Sequence, residues 1–90
     1  MENKDISRIV ADQRKKLEEV FLKIRTISSD KKAEQILRTA RDYFDDSKYF
    51  LDNEDYTDAF EAVIISWAFV DVGLLLGLFD VPDELKDYFI

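Results

Sequence analysis

ARDYFDDSKYFLDNEDYTDAFEAVIISWAFVDVGLLLGLFDVP, residues 40–82, says more about the architecture of this chain than any other segment. It contains most of one helix-length pattern, an acidic turn, and a second such pattern. From Lys31 to Asp52, the residues Ala33, Leu37, Ala40, Phe44, Ser47 and Leu51 recur at helical spacing. Ile36, Tyr43 and Phe50 widen that stripe into a face broad enough for two neighbours. Asn53-Glu54-Asp55 interrupts the pattern, with Asp55 placed to cap the next helix. From Tyr56 to about Leu76 nearly every side is apolar after Glu61, as in a helix enclosed by a bundle or by lipid. The run from Ala62 to Phe79 is near the shortest membrane span of ~17 residues. Asp71 at its middle would cost about 2.5–3.5 kcal/mol on insertion, and basic flanks are missing. The expectation is therefore an antiparallel hairpin whose second helix is almost wholly buried in protein.

Ahead of this hairpin, Val10, Gln13, Leu17, Val20, Ile24 and Ile27 form a single seam with Phe21 beside it, predicting a first helix from about Ile6 to Ile27. Asp5 or Ser7 can cap its start, and Ser28-Ser29-Asp30 ends the pattern and offers a cap for the second helix. Beyond the hairpin, Gly77 and Leu78 fit a left-handed helix C-cap. Asp80-Val81-Pro82-Asp83 suits a new first turn, predicting a short helix from Pro82 to about Phe89 that lays Leu85, Tyr88 and Phe89 over the bundle. The fold class is all-α, an antiparallel three-helix bundle with a short C-terminal fourth helix, read as one domain over residues 1–90 with connections of about two to five residues.

Composition narrows the chemistry. A chain of 90 residues has a limited core, yet 47% of it is hydrophobic, with seven Phe, four Tyr and one Trp. Part of that apolar surface is expected at an interface, and a homodimer is the preferred oligomer. With no Cys there is no disulfide, thiolate nucleophile or zinc-thiolate site, and with no His there is no Ser–His–Asp triad or His-ligated metal. No cofactor is implied. The charged start MENKDISRIVADQRKK lacks the apolar run of a signal peptide, so a cytoplasmic location is the default.

The net charge of −7 is uneven: residues 1–48 carry 12 basic and 10 acidic side chains, residues 49–90 only Lys86 against 10 acids. An acidic half this strong disfavours phosphate backbones and anionic membranes. The expectation is no membrane and no nucleic acid, apart from the basic side at Arg14–Lys16 and Lys31–Lys32.

Four features could carry chemistry. In a hairpin turning near Glu54, Asp71 falls level with Leu37 and Arg38, with Arg41 one turn away. A structural ion pair of Asp71 with Arg38 and Arg41 is the preferred reading, because an unpaired buried carboxylate costs several kcal/mol; the alternative is a general acid with a raised pKa. The acids Asp52, Glu54, Asp55 and Asp58, with Asp45 and Asp46 nearby, invite a calcium reading. Counting from Asp52 puts Thr57 sixth and Val63 twelfth, where a calcium loop needs Gly and Glu. They read better as an acidic, partner-facing surface at a helix start. Ala62, Ser66, Gly73 and Gly77 form a small-residue stripe for close helix packing, with a dimer seam as the alternative. Tyr43, Phe44, Tyr49, Phe50, Tyr56, Phe60, Trp67 and Phe69 sit at core spacing rather than around a ligand cleft.

Two known families resemble parts of this pattern. The hairpin is locally similar to one tetratricopeptide unit, with Tyr43, Ser47, Phe50, Tyr56 and Ala59 at that motif's positions; Asp46 and Glu54 depart from it, and a solenoid needs about three units. More closely, Ala40-Arg41-x-Tyr43-Phe44-x-Asp46-Ser47, Phe50, Asp55-Tyr56-x-x-Ala59-Phe60-x-Ala62, Trp67, Asp71-x-Gly73 and Leu76-Gly77-Leu78-Phe79 resemble the family called domain of unknown function 357, small archaeal helical proteins. Glu54 stands where those relatives usually carry Gly, and Ser47 and Val72 where they carry Ala. The resemblance implies a three-helix bundle, no established activity and, from relatives joined to nucleotidyltransferase-like domains, an accessory or docking role. The preferred function is a non-enzymatic interaction module that self-associates and shows an acidic face to an unidentified protein partner. The alternatives are a small-ligand-binding or enzyme-accessory subunit working with a nucleotidyltransferase-like partner, using Asp71, Arg38 and Arg41, and a nucleic-acid-associated helical domain without catalysis.

Overall fold

The computed structural model describes residues 3–89, with side chains from Asp5 onward. Three long helices, α1 (Asn3–Lys23), α2 (Lys31–Asp52) and α3 (Tyr56–Leu75), pack together, and a 3-10 turn (Asp83–Tyr88) closes the chain. The all-α three-helix architecture is as expected. Two residues after α1, β1 (Arg25–Thr26), pair antiparallel with two after α3, β2 (Phe79–Asp80), placing Arg25 opposite Asp80 and Thr26 opposite Phe79.

The first helix is displaced from its expected bounds. It begins at Asn3, so Asp5 and Ser7 lie inside it rather than capping it, and it ends at Lys23. Ile24 still bonds back to Val20, but the chain then extends, and Ile27 N–H reaches Leu78 C=O at 2.9 Å. The β-branched run Ile24, Thr26, Ile27 suits this extended clasp, and its backbone partners come from the far end of α3. Ile27 is consequently exposed.

α2 has the expected limits. Asp30 accepts from Lys32 N–H at 2.9 Å as a side-chain cap, and Ser28 Oγ accepts from Asp30 N–H. Both long helices of the hairpin end in the same six-residue device. At the end of α2, Asp55 N–H bonds to Phe50 C=O and Glu54 N–H to Leu51 C=O, with Glu54 at φ 61°. At the end of α3, Leu78 N–H bonds to Gly73 C=O and Gly77 N–H to Leu74 C=O, with Gly77 at φ 72°. Asp55 occupies the N-cap position of α3 but makes no capping hydrogen bond.

The most extensive packing is between α2 and α3. Ala33, Ala40 and Ser47, seven residues apart on α2, are buried, as are Ala59, Ala62, Val63, Ser66, Val70 and Gly73 on α3. Small side chains let the backbones approach, and Ser66 Oγ donates to Ala40 C=O at 2.7 Å. Val10, Leu17 and Val20 of α1 complete the core with Phe79, Val81 and Leu85 from the C-terminal segment. That segment is a 3-10 turn after Pro82 rather than the expected α-helix, but it covers the bundle as anticipated: Leu85 is in the core, and Tyr88 and Phe89 meet Trp67 edge-on at 6.1 and 5.4 Å.

Candidate interaction surface

On an α-helix successive residues turn by ~100°. The buried residues of α3 therefore cluster around one direction, and Phe60, Ile64, Ala68, Val72 and Leu75 around the opposite one. All five are exposed, Leu75 by 84% and Ile64 by 46%, and Leu76, just past the helix end and to one side of the row, is exposed by 62%. The expectation of an almost wholly buried third helix is thus corrected. α3 is apolar all round, but α1 and α2 cover only part of it. An apolar strip one helix wide remains open along its length, with Glu61 among its few polar members.

Asp71 borders this strip and is half-buried. It lines two open grooves of about 410 Å³ each, one toward Leu74, Phe79 and Lys86, the other toward Gln13, Lys16 and Trp67, with Phe89 shared by both. Among the described residues no ion pair joins Asp71 to Arg38 or Arg41. Arg38 is exposed, and Arg41 lies over Phe21, its guanidinium carbon 5.6 Å from the ring centroid and Nη2 3.4 Å from Phe21 C=O. The hairpin register places these residues level, but rotation about the axis turns Asp71 toward α1 and the C-terminal segment, away from α2. The three side chains share no site. Trp67 Nε1, one turn before Asp71, is enclosed without a hydrogen-bond partner.

The acidic residues Asp52, Glu54, Asp55 and Asp58 are all exposed around the α2–α3 turn, and only Asp52 is paired, with Lys48 at 2.6 Å. Among the described residues no group of three or more acids is arranged to hold a metal ion. The small-residue stripe divides: Ala62 and Ser66 are buried, Gly73 admits the ring of Phe79 from its own chain, and Gly77 is exposed and ends the helix. The aromatic expectation holds for Tyr43, stacked on Phe69 at 6.0 Å, and for Phe44 against Phe21, but Tyr49 and Phe60 are exposed.

Arg14 is the residue that sequence reasoning misplaced. Rather than forming a solvated basic side, it is partly buried between α1 and α2. Its Nη1 donates to Phe44 C=O and to Ser47 Oγ, the latter at 2.6 Å, and its guanidinium carbon lies 4.1 Å above the Phe44 ring. Burial pushes the guanidinium pKa down, while Asp45, Glu18 and Asp52 pull the other way. The signal available was its place beside Gln13, at an alternative seam position between Val10 and Leu17.

Among the described residues no helix is long and apolar enough to cross a membrane. The family model described as "Protein of unknown function (DUF357)" matches residues 8–79, from α1 through Phe79 of β2, a longer span than the resemblance read from residues 40–79. The chain is similar to the crystal structure of protein AF1782 from Archaeoglobus fulgidus, assigned to the same family, at 29% identity and a TM-score of 0.78, over 89% of this chain and 97% of that one. No curated protein sequence matches the chain.

Proposed function

We propose that this chain, which belongs to the DUF357 family of proteins of unknown function, is a non-enzymatic protein–protein interaction module that self-associates and presents an acidic end to a second protein. The open apolar strip on α3 carries this reading. Phe60, Ile64 and Val72 are 39–46% exposed and Leu75 84%, so covering them adds roughly half of the ~1.5–3 kcal/mol of full burial for each of the first three and most of it for Leu75. The exposed acids Asp52, Glu54, Asp55 and Asp58 lie at one end of that strip, where an attached partner meets concentrated negative charge.

Sedimentation equilibrium at micromolar concentration tests the reading. The expected result is a species of twice the chain mass; a monomer persisting at several hundred micromolar would remove it.

A further inference from the structure

We infer that the second copy docks antiparallel across α3, on a twofold axis passing near Ala68, an inference that rests on the self-association proposed above. Ala68 is the small member at the middle of the exposed strip, with Phe60 and Ile64 before it and Val72 and Leu75 after it. In an antiparallel pairing centred there, residues whose numbers total 136 face one another. Ile64 then meets Val72 of the second copy on either side of a close central approach, and Leu75 meets the second copy's Glu61 beyond them.

Charge sets the direction. The end of the molecule at the α2–α3 turn is strongly acidic: residues 45–61 hold seven acids and Lys48 as the one base. The opposite end is nearly neutral, since residues 23–34 and 80–87 together hold six acids and five bases, among them Arg25, Lys31, Lys32 and Lys86. A parallel pairing would superpose two acidic ends and align two helix dipoles, whereas the antiparallel one sets each acidic end beside the mixed end of its neighbour. The strip from Phe60 to Leu75 is only ~24 Å long and about one helix (~10 Å) wide, below the ~800 Å² per partner of a standard interface. The dimer is accordingly a weak one.

The chain has no cysteine, so introduced ones report on this geometry without background. Ala68→Cys, at an exposed position, is expected to oxidise readily to a covalent dimer. An equimolar mixture of Glu61→Cys and Leu75→Cys is expected to form the mixed disulfide at least tenfold more than either protein alone forms its own. In the antiparallel pairing the two copies of position 61 stand ~21 Å apart along the axis, beyond the ~7 Å between Cα atoms that a disulfide spans. Self-coupling of Glu61→Cys would establish a parallel dimer and overturn the inference. So would a dimer of the unmodified chain by sedimentation with no coupling through Ala68→Cys, which would place the interface on another face. Both results leave self-association standing, whereas a monomer by sedimentation overturns the two together.

Discussion

The ring of Phe79 occupies the space where a β-carbon on Gly73 would stand. A residue in the last turns of α3 is thereby matched to the first residue of β2, six positions on, and the return of the chain after Gly77 depends on that fit. Gly73→Ala is expected to destabilise the fold by about 2–3 kcal/mol despite the ~1 kcal/mol gained in helix propensity, because the ring must move. Phe79→Leu should recover part of this loss in the double variant. Denaturant midpoints measured on the two single and the double variants check it; an Ala variant as stable as the parent would refute the fit.

Glu54 holds the left-handed position that ends α2, at φ 61°. A side chain there costs about 1–2 kcal/mol, and glycine returns some of that through a freer unfolded chain. Glu54→Gly is expected to stabilise by ~1 kcal/mol while removing one acid from the exposed turn. Thermal unfolding in concentrated salt separates the backbone effect from the charge effect; the gain should survive screening.

Arg14 clamps α1 to α2 through Phe44 and Ser47. Arg14→Ala should cost about 2–3 kcal/mol, and Arg14→Lys should restore only part of it, since an ammonium can donate to the two acceptors but does not stack its plane on the Phe44 ring. Ser47→Ala should cost ~1 kcal/mol in the parent and less in the Arg14→Ala background, a coupling that a double-mutant cycle reads directly.

Ile64→Asp places a charge in the middle of the open strip without touching the core. The expected outcome is at least a tenfold weaker dimer, about 1.4 kcal/mol, with unchanged helical circular dichroism. Equal dissociation constants for variant and parent would show that the strip is not the seam.

Three titrations converge on the C-terminal segment. The hydrogen bond from Lys23 to Glu84 raises the Lys23 pKa above 10.5, that from Lys86 to Asp83 does the same for Lys86, and burial followed by the charge of Glu19 raises Tyr88 above 10.0. Each folded value exceeds its unfolded one, so the stabilisation is complete below about pH 10 and is lost as pH climbs through the folded values. All three groups are solvent-accessible, which keeps the effect modest. The single tryptophan, Trp67, lies under Tyr88 and Phe89. Its fluorescence should shift above pH 10 while the helical signal holds; coincident loss of both would contradict a locally released segment.

The bounds of α2 were legible because Asp30 supplies a side-chain cap and the apolar stripe stops cleanly at the turn. Gly77 announced the end of α3 through its backbone freedom. The end of α1 was not legible: Ile24 and Ile27 continue the helical spacing, and the clasp that draws them away lies some 50 residues further on, at Leu78–Asp80. Asp71 shows a second limit. Register along a hairpin comes from counting through its turn, but whether level residues face each other depends on rotation about each axis, which α1 and the C-terminal segment set. The open strip was hidden for a related reason, since an all-round apolar pattern carries no mark of which side lacks a neighbour.

The seam between α2 and α3 is built largely from small residues: Ala33, Ala40 and Ser47 meet Ala59, Ala62, Ser66 and Gly73 there. Of the buried apolar side chains among the described residues, Ala33, Ala40, Ala59 and Ala62 are alanines. Helices drawn so near to one another leave little room for bulk between them, and the largest buried side chains, Leu17, Phe79 and Leu85, come from α1 and the C-terminal segment instead. In the dimer proposed above, covering the outer side of α3 would add to this thin seam, and resistance to unfolding would then climb with chain concentration.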